Sequence, residues 1–295
     1  MQRRSDGSTE ASQIGGASNL SSDIKGIKTT PDQQGPILPV GIYLGPGAIR
    51  AYAHLGVLKI LEKAQVPIVA IGGMEWGSLV AAGFAASKSA NEAEWEMMKL
   101  QENQLPKSTL LNRRLTAKDP GDLFSFLRFA FNDRELQNTA IPFSCPATDG
   151  EDTVFISQGK ARDELIRCLA LPPLYNAFEK DGHRWTAAAV APGDWAGLLR
   201  NAGAKYIIYI DVISKGTYLD KLKYSNDDQI RTLWSGIKSS SKLQHQFANI
   251  TIEVAMDIDL ADFDKRREAV SIGERAGNSS LNDVLKGIGF VTEVK

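Results

Sequence analysis

The segment Gly73-Met74-Glu75-Trp76-Gly77 has the glycine spacing of a nucleophile elbow, with a glutamate at its centre. It lies between an apolar run at residues 68–71 and a helix-like apolar run at residues 79–86. Serine hydrolases place Gly-x-Ser-x-Gly at such a strand–turn–helix junction, because the sharp turn lifts the serine hydroxyl out of the sheet. The spacing therefore predicts an elbow in which Glu75 stands where the serine would be.

Composition argues against several other kinds of site. The chain has 34 Lys and Arg against 35 Asp and Glu, a balance that does not favour a broad nucleic-acid surface. With only two cysteines, Cys145 and Cys168, we expect no disulfide framework. The three histidines, His54, His183 and His245, are scattered and form no zinc motif, so we expect neither a metal nor a cofactor.

The chain divides into a polar start and a long mixed segment. Residues 1–36 are rich in Ser, Gly, Gln, Thr and Asp and contain too few large apolar groups to offset the entropy of ordering. We predict a disordered tail there, either incidental or serving as a tether. Residues 37–295 are predicted to form one α/β domain.

Strand-like and helix-like segments alternate through that domain. Strands are predicted at residues 37–44, 67–72, 141–147, 153–156, 183–190, 206–212 and 250–258, and helices at residues 49–64, 76–88, 91–104, 122–131, 162–171, 195–201 and 227–244. The continuous apolar run at residues 206–212 is typical of a strand inside a parallel sheet. The alternation predicts a three-layer α/β/α domain with a mostly parallel central sheet.

Most of residues 37–275 resembles the patatin-like family of acyl hydrolases, with the matching segments in the same order. Residues 41–58, GIYLGPGAIRAYAHLGVL, resemble the first strand, oxyanion loop and first helix of that family. Residues 71–80 resemble its elbow, and residues 141–149 resemble its central strand and turn. Phe263-Asp264 and Ile272-Gly273 resemble the segments around its last helix.

The resemblance implies a Ser–Asp dyad, in which the aspartate serves as the base. The serine position falls on Glu75, and a gapless alignment over residues 171–212 puts the aspartate position on Ala187. Glu75 cannot form the ordinary serine acyl-enzyme, and Ala187 has no proton acceptor. The resemblance therefore predicts a degenerate active site.

The family's oxyanion loop reads Gly-Gly-Gly-x-Arg/Lys-Gly, and the loop in this chain departs from that pattern. Pro46 has no N–H to donate, whereas an oxyanion hole is built from such donors. We expect Arg50 to keep a polar role by orienting the loop against the elbow. The binding positions assigned to this former oxyanion loop are Gly45, Pro46, Gly47, Ala48 and Arg50.

Two interpretations of Glu75 remain open. In the first, selection on the serine was lost and the position drifted. In the second, the carboxylate fills the former oxyanion site at a helix N-terminus, where backbone N–H groups favour an anion. Glu75 would then act as a built-in stopper, with Trp76 helping to close the pocket.

Five other residues could be mistaken for replacements, and we expect structural roles for them. Asp149 and Asp181 each precede a glycine in a turn, and Asp194 is placed to cap the following helix. Ser78 lies about one helical turn beyond the elbow, and His54 lies in the first helix.

These observations favour a catalytically inactive domain that serves as a binding or scaffolding module. We expect a protein partner, with a lipid or membrane surface as a second possibility and no nucleic acid. Tyr175, Trp185 and Trp195 are candidate contact residues, with core packing as the alternative. The other functions considered are a lipid-binding protein that retains the acyl pocket and a residual lipid acyl hydrolase. A tether would fit the bacterial cell envelope, and without one we expect the cytoplasm.

Overall fold

The computed structural model describes residues 36–105, 117–189, 194–216, 228–260 and 262–290. Apart from Pro36, the segment for which the sequence predicts a polar tail lies outside these ranges. That prediction therefore stays a prediction.

A single sheet holds all eight strands of the described residues, in the order β5-β6-β3-β2-β1-β7-β8, with β4 paired to β3. β1 pairs in parallel with β2 and β7, and β2–β3 and β7–β8 are also parallel, while β3–β4, β3–β6 and β5–β6 are antiparallel. The predicted mostly parallel central sheet is thereby confirmed. The strands are β1 Val40–Leu44, β2 Ile68–Gly73, β3 Phe143–Asp149, β4 Asp152–Ile156, β5 Phe178–Lys180, β6 His183–Ala187, β7 Tyr206–Asp211 and β8 Ile250–Glu253.

Helices connect and cover these strands. They are α1 Tyr52–Lys63, α2 Trp76–Ser87, α3 Ala90–Met97, α4 Phe124–Phe131, α5 Ala161–Leu169, α6 Ala196–Asn201, α7 Asp228–Phe247 and α8 Arg266–Gly287. Within the described ranges, no helix combines the length and the apolar character needed to cross a bilayer.

Both faces of the central strands are buried, which explains why β1 is apolar throughout and β7 is apolar up to Asp211. Ile42 and Ile208 belong to a large apolar cluster on one face, whereas their neighbours Tyr43 and Ile207 belong to a second cluster on the other face. Side chains alternate between faces along a strand. The sheet is therefore the middle of three layers, as the sequence predicts.

Glycines let α8 cross α1 at very short range on the larger cluster's side. A Cβ added at Gly56 would lie 2.0 Å from the carbonyl oxygen of Val270, and one added at Gly273 would lie 1.9 Å from that of Ala53. Only glycine fits at such a backbone approach. This crossing fixes α1, whose N-terminal end carries the loop discussed below.

Several predicted elements, among them one helix and one strand, are shorter than expected. The helix predicted at residues 91–104 ends at Met97. Beyond that end, the Leu100 carbonyl accepts a hydrogen bond from the Arg266 guanidinium at 3.1 Å. The strand predicted at residues 250–258 ends at Glu253. Beyond it, the carbonyls of Met256 and Ile258 accept hydrogen bonds from the Arg50 side chain, which sequence periodicity does not reveal.

The two cysteines form a disulfide, which corrects the expectation drawn from their number. Cys145 on β3 and Cys168 on α5 are bonded and fully buried. Their separation of 23 residues in the sequence does not by itself predict that they are bonded. It is the packing of α5 across β3 that brings the two sulfur atoms together.

We predict that reducing this disulfide lowers the free energy of unfolding by about 3 kcal/mol, because the bond closes a loop in the unfolded chain. Denaturant unfolding with and without reductant measures the difference. The double variant Cys145→Ala with Cys168→Ala is the control and should be insensitive to reductant. Finding two free thiols in the denatured, unreduced chain would contradict the pairing.

Candidate functional site

The elbow predicted at Glu75 is present and strained. β2 ends at Gly73 and α2 begins at Trp76, so Glu75 stands at the turn between them, with φ 49° and ψ −126°. Such a conformation costs a non-glycine residue about 1–3 kcal/mol. Gly77 is required here, because a Cβ at that position would lie 2.5 Å from the Gly45 carbonyl oxygen. The tight packing of elbow and loop thus depends on the glycine spacing seen in the sequence.

The Glu75 carboxylate lies against the loop that follows β1. Its Oε2 accepts hydrogen bonds from the N–H groups of Gly47 at 2.9 Å and Ala48 at 3.0 Å. Pro46 contributes no N–H, yet these two neighbouring donors converge on one oxygen. In geometry they form the kind of paired-donor site that holds an oxyanion in acyl transfer. The arrangement can hold an anion, and the anion it holds belongs to the chain itself.

Burial and hydrogen bonding act on this carboxyl in opposite directions. Glu75 is 2% exposed, and burial raises its pKa above the ordinary value. The N–H groups of Ala48, Trp76 and Gly47 favour the charged form and oppose that shift. Among the described residues, Oε1 has no hydrogen-bond partner. The carboxylate is therefore bound through one oxygen only.

Ser78 contacts the backbone of the elbow. Its hydroxyl is buried and donates to the main-chain carbonyl of Glu75 at 2.5 Å. This bond caps the turn and directs the hydroxyl into the backbone. Ser78 has the structural role expected from its place one turn into α2.

His54 and Arg50 both support the loop. His54 Nε2 lies 2.8 Å from the Gly45 carbonyl oxygen, and burial lowers the pKa of the ring to about 4, so the neutral imidazole donates this bond. Arg50 donates from Nε to Ile258 at 2.7 Å and from Nη1 to Val212 at 3.4 Å, in both cases to main-chain carbonyls. These bonds tie the loop to the segments after β7 and β8, whereas the sequence suggested a contact with the elbow.

Ala187 ends β6 opposite Ala147 of β3, and its methyl side chain is buried. Its N–H donates to the Ala170 carbonyl at 2.8 Å. The next two residues, Ala188 and Ala189, are buried alanines as well. None of these three side chains can accept a proton at the end of this strand.

The three aspartates that could have served as substitutes have structural roles. Asp149 accepts from His183 Nδ1 at 2.5 Å, and Asp181 has a positive φ in the turn between β5 and β6. Asp194 accepts from the Gly197 N–H at 3.0 Å and so caps the start of α6. Each acts as the sequence analysis expected.

The aromatic candidates are buried. Trp76 packs in the larger apolar cluster, and the hydroxyl of Tyr175 donates to the Gln104 carbonyl at 3.0 Å. The Arg167 guanidinium carbon lies over Trp185, 4.6 Å from the centroid of the Trp185 ring. Trp195 packs edge-on against Phe155. The sequence leaves two roles open for Tyr175, Trp185 and Trp195, partner contact and core packing. Their burial fits core packing.

A buried polar cluster at the end of β7 was not anticipated from the sequence. Asp211 Oδ2 accepts from His245 Nε2 and from Ser241 Oγ, each at 2.7 Å, and also from the Ser214 hydroxyl. These bonds lower the pKa of Asp211 to about 2, although burial opposes them. The sequence did contain one indication of this cluster, because the charged Asp211 stands near the end of the apolar run at residues 206–212. Both serines bond the carboxylate and not the imidazole, so the cluster anchors α7 to the sheet.

No metal site emerges from this geometry. In the ranges the structure describes, no group of three or more His, Cys, Asp or Glu side chains is placed to hold a metal ion.

Comparison with known sequences points to one family. The model of the family described as patatin-like phospholipase matches residues 43–200. The human patatin-like phospholipase domain-containing protein 6 is 29% identical over 198 residues, which are 62% of this chain and 14% of that protein. An uncharacterized NTE family protein of Mycobacterium bovis is 26% identical over 148 residues, 48% of this chain and 40% of that protein. The chain thus spans a small part of the length of its larger relatives.

Among solved structures, VipD from Legionella pneumophila superimposes with a TM-score of 0.47 at 12% identity, covering 88% of this chain and 70% of that one. The family match runs from the end of β1 into α6 and includes the elbow, the loop after β1 and the end of β6. The chain belongs to the patatin-like phospholipase family.

Proposed function

We propose that this chain is a catalytically inactive patatin-like domain that serves as a binding or scaffolding module for a protein partner. The observation that carries the proposal is the hydrogen bonding of Glu75 Oε2 to the N–H groups of Gly47 and Ala48. A substrate oxyanion would need those same donors. A substrate carbonyl therefore competes with a carboxylate that is covalently part of the protein.

The chemistry of the position supports the same conclusion. Attack by the Glu75 carboxylate on an ester would produce an anhydride, and a base would still be required for the ordinary dyad mechanism. The position aligned with that base is Ala187, whose side chain is a methyl group. Loss of nucleophile and base together leaves no route through the family mechanism.

Of the two interpretations of Glu75, the contacts favour the stopper. A drifting position is under no requirement to keep a strained φ of 49° with a bulky side chain. Here two backbone hydrogen bonds to a charged acceptor offset the strain, each typically contributing about 1.5–3 kcal/mol. The bound carboxylate thus stabilises the elbow that the serine of an active enzyme would occupy.

The rival functions meet specific obstacles at this site. A lipid-binding protein needs apolar space beside the elbow, but both Glu75 and Trp76 are buried and Trp76 is packed into the core. Family membership supports a residual lipid acyl hydrolase. That function needs a new nucleophile within reach of a base, and the Ser78 hydroxyl is bonded to the main chain.

We predict no esterase or phospholipase turnover above the blank by the purified chain, tested with p-nitrophenyl butyrate and with phosphatidylcholine vesicles. The double reversion Glu75→Ser with Ala187→Asp restores the dyad, and Glu75→Ala with Ala187→Asp is the matched control without a nucleophile. Turnover by the revertant alone would show that an acyl pocket is still formed, which favours the lipid-binding alternative over a closed scaffold. Wild-type turnover that is abolished by Glu75→Ala would refute the proposal.

We also predict that Glu75→Gly is more stable to unfolding than Glu75→Ala by about 1 kcal/mol, because glycine relieves the elbow strain while both variants remove the carboxylate. Denaturant unfolding of the two variants gives the difference. Ala86→Gly in α2 is the control. It should lower the free energy of unfolding by about 1 kcal/mol, because glycine is less favourable than alanine in a helix. An alanine variant as stable as the glycine variant would mean that the elbow backbone is relaxed.

A further inference from the structure

A pocket lies away from the elbow, at the outer surface of α3. It has a volume of about 350 Å³ and lies between the C-terminal end of α2, one face of α3 and the loop after α4. Ligand pockets commonly fall between about 300 and 1,000 Å³. Ser87, Asn91, Glu92, Trp95, Glu96 and Arg134 supply its polar and aromatic lining.

Trp95 forms an exposed aromatic wall of this pocket. Its side chain is 70% exposed, whereas the other four tryptophans of the chain are between 1 and 8% exposed. Lys99 Nζ lies 5.7 Å from the Trp95 ring centroid and 4.8 Å from that of Phe129, and it forms an ion pair with Glu96 at 2.6 Å. These contacts hold the indole in place at the rim before any ligand arrives.

The polar groups of the pocket have unused hydrogen-bonding capacity. Within the described residues, the buried hydroxyl oxygen of Ser87 has no hydrogen-bond partner, and the polar side chains of Asn91, Glu92 and Arg134 line the same pocket. A buried polar atom without a partner is unusual in a folded protein. The set offers donors from Arg134 and Asn91 and acceptors from Glu92 and Asn91.

The charges of the pocket balance. The Glu96 carboxylate forms an ion pair with Lys99. The other carboxylate, that of Glu92, lines the same cavity as the oppositely charged Arg134 guanidinium. An anionic ligand meets repulsion from Glu92, and a cationic ligand meets repulsion from Arg134. A neutral ligand that both donates and accepts hydrogen bonds satisfies both groups.

We propose that this pocket binds a neutral saccharide ring. The apolar C–H face of a pyranose stacks on the Trp95 indole, since aromatic rings offer a large rigid contact area at low entropic cost. Its hydroxyl groups donate to Glu92 and accept from Arg134 and Asn91. This site is separate from Glu75, so the inference does not depend on the inactivity of the elbow.

The test uses the exposure of Trp95, because acrylamide quenching of tryptophan fluorescence reports chiefly on that residue. The full chain is titrated with glucose, galactose and N-acetylglucosamine, and with glucuronate and glucosamine, which carry a negative and a positive charge on the same ring. We expect at least one neutral sugar to protect Trp95 with a Kd of the order of 1 mM. The charged analogue of any bound sugar should bind several-fold more weakly.

Variants locate the binding. By calorimetry, Trp95→Ala should weaken binding of the neutral sugar by about tenfold or more, whereas Val154→Ala removes an exposed apolar side chain on β4, outside the lining, and should leave Kd within about twofold. Glu92→Gln keeps the shape of the side chain and should weaken the neutral sugar while improving glucuronate. The proposal is overturned if no neutral sugar protects Trp95, if a charged analogue binds tightest, or if Trp95→Ala leaves the affinity unchanged.

Discussion

The interaction on which this site depends is the pair of hydrogen bonds from the Gly47 and Ala48 N–H groups to Glu75 Oε2. It joins the loop after β1 to the elbow after β2, which are adjacent because the two strands pair in parallel. Buried N–H groups need acceptors, and without a substrate the loop obtains one from the elbow residue. The same bonds hold a strained backbone in place and fill the position that acyl transfer requires.

The surrounding fold is arranged to keep loop and elbow in contact. Gly77 lets α2 approach the Gly45 carbonyl, and His54 binds that carbonyl from α1. Arg50 fixes the other end of the loop to the segments after β7 and β8, and α8 locks α1 through the crossing at Gly56. The patatin-like fold therefore surrounds a site with the Glu75 carboxyl group at its centre. On the function proposed above, that combination suits a binding module.

Local patterns were sufficient to predict the elbow, the loop and the central parallel strands, because glycine spacing and continuous apolar runs reflect backbone constraints directly. The Cys145–Cys168 bond and the Asp211–His245 contact depend on which helix crosses which strand, and neither spacing nor periodicity records that. The same limit applies to Arg50, whose partners are up to 208 residues away in sequence. The prediction that Ala187 stands at the base position came from the family resemblance and not from any pattern in the chain.

The most direct measurement is an NMR pH titration of the Gly47 and Ala48 backbone amides in the wild type and in Glu75→Gln. Burial raises the pKa of Glu75 above its ordinary value of 4.5. We predict that both amide signals shift together with a midpoint above that value, and that the transition is absent in the Gln variant. Amide signals that do not respond to pH, or that titrate equally in both proteins, would contradict the contact.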